Sequence, residues 1–254
     1  MEIKNGTRET TCLLDVDSAF GKWLANAFVG SIVSDGDRKQ NKDTVKFLSD
    51  NPQGKIFRFD DEGTPLKFKQ RLAKLSKEKG FDATLPAVYY SRADTVDVAD
   101  LSSFTPFESE YYESEDKQFE VTIFDDKAAF SYRVMICAWD KYTLDNLMLL
   151  VRTYFRQVLM FKDANEKIKS NLLECFPISS SFTAKTQIMN IDVELKVEID
   201  SIGSEMLSDA SLPLKEQRLL AKEIEIRVIT DVKTAYCIQS VDMKAELLPH
   251  ELIL

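Results

Sequence analysis

Two carboxylates one residue apart, Asp15 and Asp17, are the first residues along the chain whose type and spacing suit chemistry. Such a pair holds a divalent cation when further carboxylates converge on it inside a polar pocket. Here the pair flanks Val16 at the entrance of an apolar-periodic segment, where acids favour the positive end of a helix dipole. A helix-start role therefore outweighs a metal role. Glu108, Glu110, Glu113, Glu115 and Asp116 form a second acidic group, but their spacing fits no EF-hand loop, which needs a central glycine. A solvated or partner-facing loop over 108–116 is the expected arrangement. The four cysteines, Cys12, Cys137, Cys175 and Cys237, lie far apart without a CxxC pair, so zinc spacing is missing. They read as reduced thiols of a cytosolic product, with Cys137 filling a strand position as a small apolar residue. His250 is the single histidine, too little for a histidine-based dyad or a His-rich metal site. No GxGxxG, Walker, HExxH or GxSxG motif occurs, and eight glycines supply few tight phosphate cradles. No catalytic residue, metal ligand or cofactor is assigned, and the expectation is a protein that is not an enzyme.

The elements that would position these residues follow from periodicity. Phe20, Trp23, Leu24, Ala27 and Phe28 recur at helical spacing within 13–33, with Asp17 or Ser18 as the cap. That stripe packs a core, or docks on a neighbour through Trp23 and Phe28; aromatic stripes more often face a core. A polar stretch with a helical turn at 44–48 leads to a short strand at KIFRF (55–59). LPAVYYSR (85–92) reads as a strand and 93–107 as an extended loop, followed by the alternating FEVTIF (119–124) and a turn at Asp125-Asp126-Lys127. In YRVMICAW, Tyr132, Val134, Ile136 and Ala138 share one face, and Arg133, Met135, Cys137 and Trp139 the other. Both faces are largely apolar, which predicts a central strand covered on both sides. Thr143 is the expected cap of a helix whose Leu144, Leu147, Met148, Val151, Tyr154, Phe155 and Val158 step at three and four. IDVELKVEID (191–200) alternates with one wet face, 201–221 is a polar connection or short helix, EIEIRVIT (223–230) pairs with the earlier strand, and 236–241 adds a further one. The fold class is α+β: a mixed, largely antiparallel sheet packed with amphipathic helices. The expected divisions are an N-terminal helical and loop elaboration over 1–84, a core domain over 85–245 and a C-terminal tail over 246–254.

Charge narrows the partners. A net charge of −9 disfavours a nucleic-acid binder working through a general basic surface. It suits solubility, or a conduit whose wall repels passing DNA. The basic exception is 65–79, a helix opening at Pro65 and ending at Gly80, with Leu66, Leu72 and Leu75 as its stripe and Phe68 beside it. Lys67, Lys69, Arg71, Lys74 and Lys77 form its patch, a solvated face or a contact for a phosphate or an acidic partner. The N-terminal residues lack an apolar signal core, and no run of about 18 apolar residues exists to span a membrane.

The order of elements resembles the tail terminator, or tail completion, proteins of long-tailed bacteriophages, especially those with contractile tails. The resemblance runs from Leu85-Pro86 to the last alternating strands, and is carried best by YRVMICAW, the turn DKYT and the helix ending near Leu159. It implies a six-membered ring on the head-proximal end of the tail tube, assembled in the host cytoplasm and carried in the virion. Such a ring stops polymerisation of tube and sheath, joins the tail to a neck or head-completion protein, and passes DNA only as cargo. It also implies no covalent chemistry. Trp23, Phe28 and the acidic positions Glu108, Glu110, Glu113 and Glu115 are the candidate interface residues. The alternatives are another neck or tail-tube component, a carboxylate-dependent nuclease using Asp15, Asp17 or 108–116, and a non-viral intracellular adaptor.

Overall fold

Two strands of twenty residues each organise the molecule. The computed structural model describes residues 6–50, 52–59, 67–71, 73–74, 85–97, 107–113, 119–162, 176–203, 206–208, 213–214 and 217–239. In chain order these form β1 (Thr7–Thr10), α1 (Leu13–Ala25), α2 (Lys42–Ser49), β2 (Ile56–Arg58), β3 (Ala87–Asp97), β4 (Phe107–Glu113), β5 (Phe119–Ala138) and α3 (Lys141–Lys162). After them come β6 (Ser181–Ile188), β7 (Ile191–Ile202), β8 (Met206–Ser208), β9 (Pro213–Leu214), β10 (Gln217–Arg218) and β11 (Leu220–Gln239). Residues 67–71 and 73–74 are helical as well.

The fold is α+β, built on a nine-stranded sheet of order β2-β3-β5-β11-β7-β6, with β1 and β8 also on β11 and β4 also on β5. Only β2 and β3 run parallel; the other pairings of this sheet are antiparallel. β9 and β10 pair separately. β5 and β11 stay in register from Ala138↔Leu220 to Phe119↔Gln239, which makes a ribbon roughly 65 Å long.

The sheet replaces four sequence expectations. Asp125-Asp126-Lys127 is no turn: it lies mid-strand, with Asp125 opposite Lys233 and Lys127 opposite Asp231. Lys233 Nζ lies 2.8 Å from Asp125 Oδ1 and Lys127 Nζ 3.1 Å from Asp231 Oδ1. Cross-strand pairs of opposite charge stabilise a ladder, so a charge run that reads as a turn in isolation is a strand once its partner is opposite. Residues 236–239 continue β11 instead of adding a separate strand, and the described residues of 201–221 are strand or extended chain instead of helix. Residues 93–97, expected in a loop, belong to β3.

Both faces of the β5 end near Ala138 are covered, as the paired apolar faces predict. Tyr132, Val134, Ile136 and Ala138 pack with Leu144, Leu147, Met148, Val151, Phe155 and Val158 of α3 and with Val16, Phe20 and Leu24 of α1. On the opposite face Tyr89, Met135 and Cys137 pack with Phe59, Phe68 and Leu219. A third cluster joins Val121 and Ile123 of β5 to Ile188, Met189 and Val193 at the β6–β7 turn. In β7, Val193, Leu195, Val197 and Ile199 are buried and Ile191 is half-buried, as the alternation required. The strand-to-helix junction is capped by Asp140 and not by Thr143: the Thr143 backbone N–H donates to Asp140 Oδ1 at 2.8 Å. This is the bond an N-cap carboxylate makes to the third helical residue.

Residues read as an N-terminal elaboration are built into this sheet. β1 pairs with β11, β2 pairs with β3, and α1 packs against both β2 and β6, the two ends of the strand order. Leu147 and Phe155 have 0% and 1% of their surface exposed. Leu147→Ala or Phe155→Ala is expected to cost about 2–5 kcal/mol through lost burial and a residual cavity; urea unfolding measures it, and an unchanged midpoint would contradict this packing.

Candidate assembly surfaces and the Asp17 centre

Neither acid is the cap of α1, but Asp15 keeps the helix-start position while Asp17 leaves it. The N-cap of α1 is Cys12, with extended backbone and no side-chain capping bond; Asp15 falls in the first turn. Asp17 is 3% exposed. It accepts the Tyr132 hydroxyl of β5 at 2.7 Å. Its Oδ1 lies 3.4 Å from Arg92 Nη1 of β3 and its Oδ2 3.7 Å from Arg58 Nε of β2. The Tyr90 hydroxyl donates to the Asp17 backbone carbonyl at 2.9 Å. Asp15 turns the other way and accepts Thr186 Oγ1 of β6 at 2.6 Å. The DxD pair thus ties α1 to both sides of the sheet. One turn on, Gly21 lets α1 approach the sheet, since a Cβ there would meet the Tyr90 ring at 2.8–2.9 Å.

Arg92 Nη1 is buried at ion-pair distance from Asp17 Oδ1 and has no hydrogen-bond partner among the described residues. Two guanidinium groups and a phenol converge on one carboxylate. Burial, and then the Asp17 charge, push the Tyr132 phenol well above its ordinary range, so it stays a donor. Among the described residues no group of three His, Cys, Asp or Glu side chains converges as metal ligands would. Burial pushes the Cys137 thiol up to about 12 and raises that of Cys237, while Cys12 is exposed. Cys175 and His250 lie outside the described residues.

The expected interface aromatics are core residues. Trp23 donates its Nε1 to the Ser179 carbonyl at 2.9 Å and stacks on Phe155 at 5.6 Å. Phe28 packs edge-on against Phe47 at 5.1 Å and is 2% exposed. Neither is available to a neighbour, because the sheet and α3 already bury the stripe.

The acidic group is not a loop over its described part: Glu108, Glu110 and Glu113 lie in β4, antiparallel to β5. Glu110 accepts the Tyr112 hydroxyl, and its Oε1 is 3.2 Å from Lys233 Nζ. The hydrogen bond from Tyr112 foremost, with Lys233 adding, holds its carboxyl below the usual range against the opposing effect of burial. Glu115 and Asp116 lie outside the described residues.

Lys67, Arg71 and Lys74 of the basic patch are exposed on helical residues. Lys69 Nζ sits 4.2 Å over the Trp139 ring and Arg71 stacks 4.9 Å over Phe59. Phe68, read as lying beside the stripe, is the buried anchor at 1% exposure; Leu66, Leu72, Leu75 and Lys77 lie outside the described residues.

Open surface among the described residues includes a groove and the far end of the ribbon. A groove of about 830 Å³ runs between α1 and β6, with Asp15, Lys22, Ser181, Thr183 and Lys185 along it. The far end of the β5–β11 ribbon presents Tyr111, Tyr236 and Ile238 to solvent. Sequence reading missed this second surface; its signal was the alternation of Tyr236 and Ile238 with buried Ala235 and Cys237. No described helix is long and apolar enough to cross a membrane. No protein-family model matches the chain, and no curated protein matches it.

Asp17→Ala is expected to cost about 3–5 kcal/mol, because it removes the acceptor of a buried phenol and the carboxylate beside Arg92 and Arg58. Asp15→Ala loses one hydrogen bond and should cost about 1 kcal/mol. Equal unfolding midpoints for the two variants would contradict the asymmetry. At pH 8 a maleimide should modify Cys12 rapidly in the folded protein and leave Cys137 unmodified until denaturant is added; mass spectrometry of the labelled peptides checks this.

Proposed function

We propose that this chain is a structural virion protein, a tail terminator that forms a ring of six on the head-proximal end of a phage tail tube. The reading rests on the resemblance of the strand, turn and helix at Tyr132–Leu159. The observation that carries it is the ribbon of β5 and β11. One end is fixed between helices, while the other extends with an aromatic face that no described helix covers. A subunit that spans to neighbours needs a rigid body and a reaching surface of this kind, and function then resides in surfaces placed on a stable frame. The net charge of −9 suits a conduit, since acidic walls repel passing DNA. The partners in this reading are further copies of the chain, tube and sheath proteins, and a neck or head-completion protein. The protein acts in the virion tail after assembly in the host cytoplasm, without a cofactor and without enzymatic activity.

Cryo-microscopy of intact tails tests this. The expected result is six copies at the head-proximal end, with a lumen carrying more Asp and Glu than Lys and Arg. Density for the chain elsewhere in the neck or tube would replace the terminator role with another structural one. Absence from the particle would favour the intracellular adaptor.

A further inference from the structure

We propose that the open edge of β6 takes an extended segment of a second copy, residues 243–248, as an added antiparallel strand. This deepens the ring reading by naming a contact between its subunits, and rests on that reading for the donor being another copy.

Hairpin geometry shows which groups the edge offers. Met189 and Asn190 form a two-residue turn with φ of 48° and 63°, so Ile188 and Ile191 beside it are a hydrogen-bonded pair. The same parity holds at the other end of the strand, where the Ile199 N–H donates to the Ser180 carbonyl at 2.8 Å. Even-numbered residues of β6 therefore bond to β7. The N–H and C=O groups of Thr183, Lys185 and Gln187 point the other way, and β6 is the last strand of its sheet order. Ser181 is already served: its N–H donates to Ser179 Oγ at 3.2 Å, and its carbonyl accepts the Ser179 hydroxyl. No described strand serves the other three. Open edge groups of this kind are a template for another chain.

The space beside the edge has the shape of a strand. The groove of about 830 Å³ has β6 as one wall and α1 as the other, and a second of about 700 Å³ continues along Thr186 and Gln187; the two share Asp15 and Lys185. Ala19, Trp23 and Phe182 give the first groove an apolar side, whereas Thr183, Lys185 and Gln187 are exposed. An added strand must alternate to suit, apolar toward α1 and polar toward solvent.

The chain carries such a sequence. Fifteen residues follow Gln239, outside the described residues. Among them Val241, Met243, Ala245 and Leu247 alternate with Asp242, Lys244 and Glu246. One antiparallel register satisfies both alternation and charge. With Glu246 opposite Lys185, Lys244 falls opposite Gln187 in the row of Asp192, and Met243, Ala245 and Leu247 fall on the buried side with Ile188, Thr186 and Ala184. Lys185 already meets Glu194 at 3.5 Å on its other side, so charge alternates across the three strands. Pro249 lands opposite Phe182, where the ladder uses no N–H. Pairing two β6 edges over the same three residues would instead set Lys185 opposite Lys185.

Within one copy, a strand added to β6 lies three strand spacings from β11 in the sheet order, roughly 14 Å. Residues 240–242 alone separate Gln239 from Met243, which leaves no slack for crossing and reversing direction. The donor is therefore a neighbour. Edge and segment are different parts of the chain, so each copy keeps one of each for the next, and such a heterologous contact closes into a ring when the rotation permits.

Crosslinking tests it on the full chain with Cys12→Ser and Cys175→Ser. One pool carries Gln187→Cys and the other Lys244→Cys. A short bismaleimide should give a covalent dimer in the mixed pools and not in either pool alone. The yield should fall several-fold when Lys185→Glu is added to the first pool or Glu246→Lys to the second, and return when both are present. Circular dichroism confirms that each variant is folded. A yield no higher than that with Lys141→Cys in place of Gln187→Cys, or one indifferent to charge reversal, overturns the proposal. So does a chain carrying both cysteines that links only within itself. A six-fold ring in tails without this crosslink would overturn the contact and leave the terminator reading standing. The crosslink in a protein found outside tails would do the reverse.

Discussion

Everything in this fold leans on the buried carboxylate of Asp17. A charge at 3% exposure is tolerated only when it is paired and hydrogen-bonded. Its partners come from three strands: Arg58 of β2, Arg92 of β3 and Tyr132 of β5. Because a lone buried charge is costly, the network is satisfied only when α1 lies across these strands in one position. Asp15 and Trp23 then tie the same helix to β6 and to the residue chain leading into it. The sheet's two ends are thereby referred to one helix, and the aromatic layer of Phe20, Trp23, Tyr132 and Phe155 fills the space between.

The ribbon has its own polar centre. Lys233 is 6% exposed, opposite Asp125 and beside Glu110. Burial alone would lower its pKa, but the hydrogen bonds and charges of Asp125 and Glu110 outweigh that and raise it. This cluster fixes β4, β5 and β11 to one another where no described helix covers the even face. A strand pair continuing roughly 65 Å carries ion pairs at its waist and, beyond them, a small apolar cluster where Val121, Ile123, Ala235 and Cys237 meet the β6–β7 turn. That division, a helix-braced body and a charge-braced arm, is what leaves aromatic surface open at the arm's end.

The sites illustrate how far pattern reasoning reaches. Composition and spacing show one histidine, no CxxC pair and no phosphate-loop motif without any coordinates. The same spacing misassigned Asp17, because a carboxylate at a helix entrance and one aimed at two distant arginines look identical along the chain. Trp23 and Phe28 were ambiguous between core and contact for the same reason. Amphipathicity says that a face is covered, and says nothing about whether its cover belongs to the same molecule.

What the chain by itself determined was local: the α3 stripe, the two covered faces of the strand before it, the inward residues of β7 and the α+β class. These follow from periodicities of 3.6 and 2, which depend only on neighbours in sequence. β6 was not recognised, since SFTAKTQI carries a weak alternation that only pairing with β7 completes. Tertiary structure alone decided the twenty-residue continuity of β5 and β11. The charges at Asp125, Lys127, Asp231 and Lys233 become strand residues only when each has its opposite across the ladder. It also decided that β1 and β2 join the sheet and that α1 packs on it, because Arg58, Arg92 and Asp17 are far apart in sequence and meet only when burial forces each charge to find another.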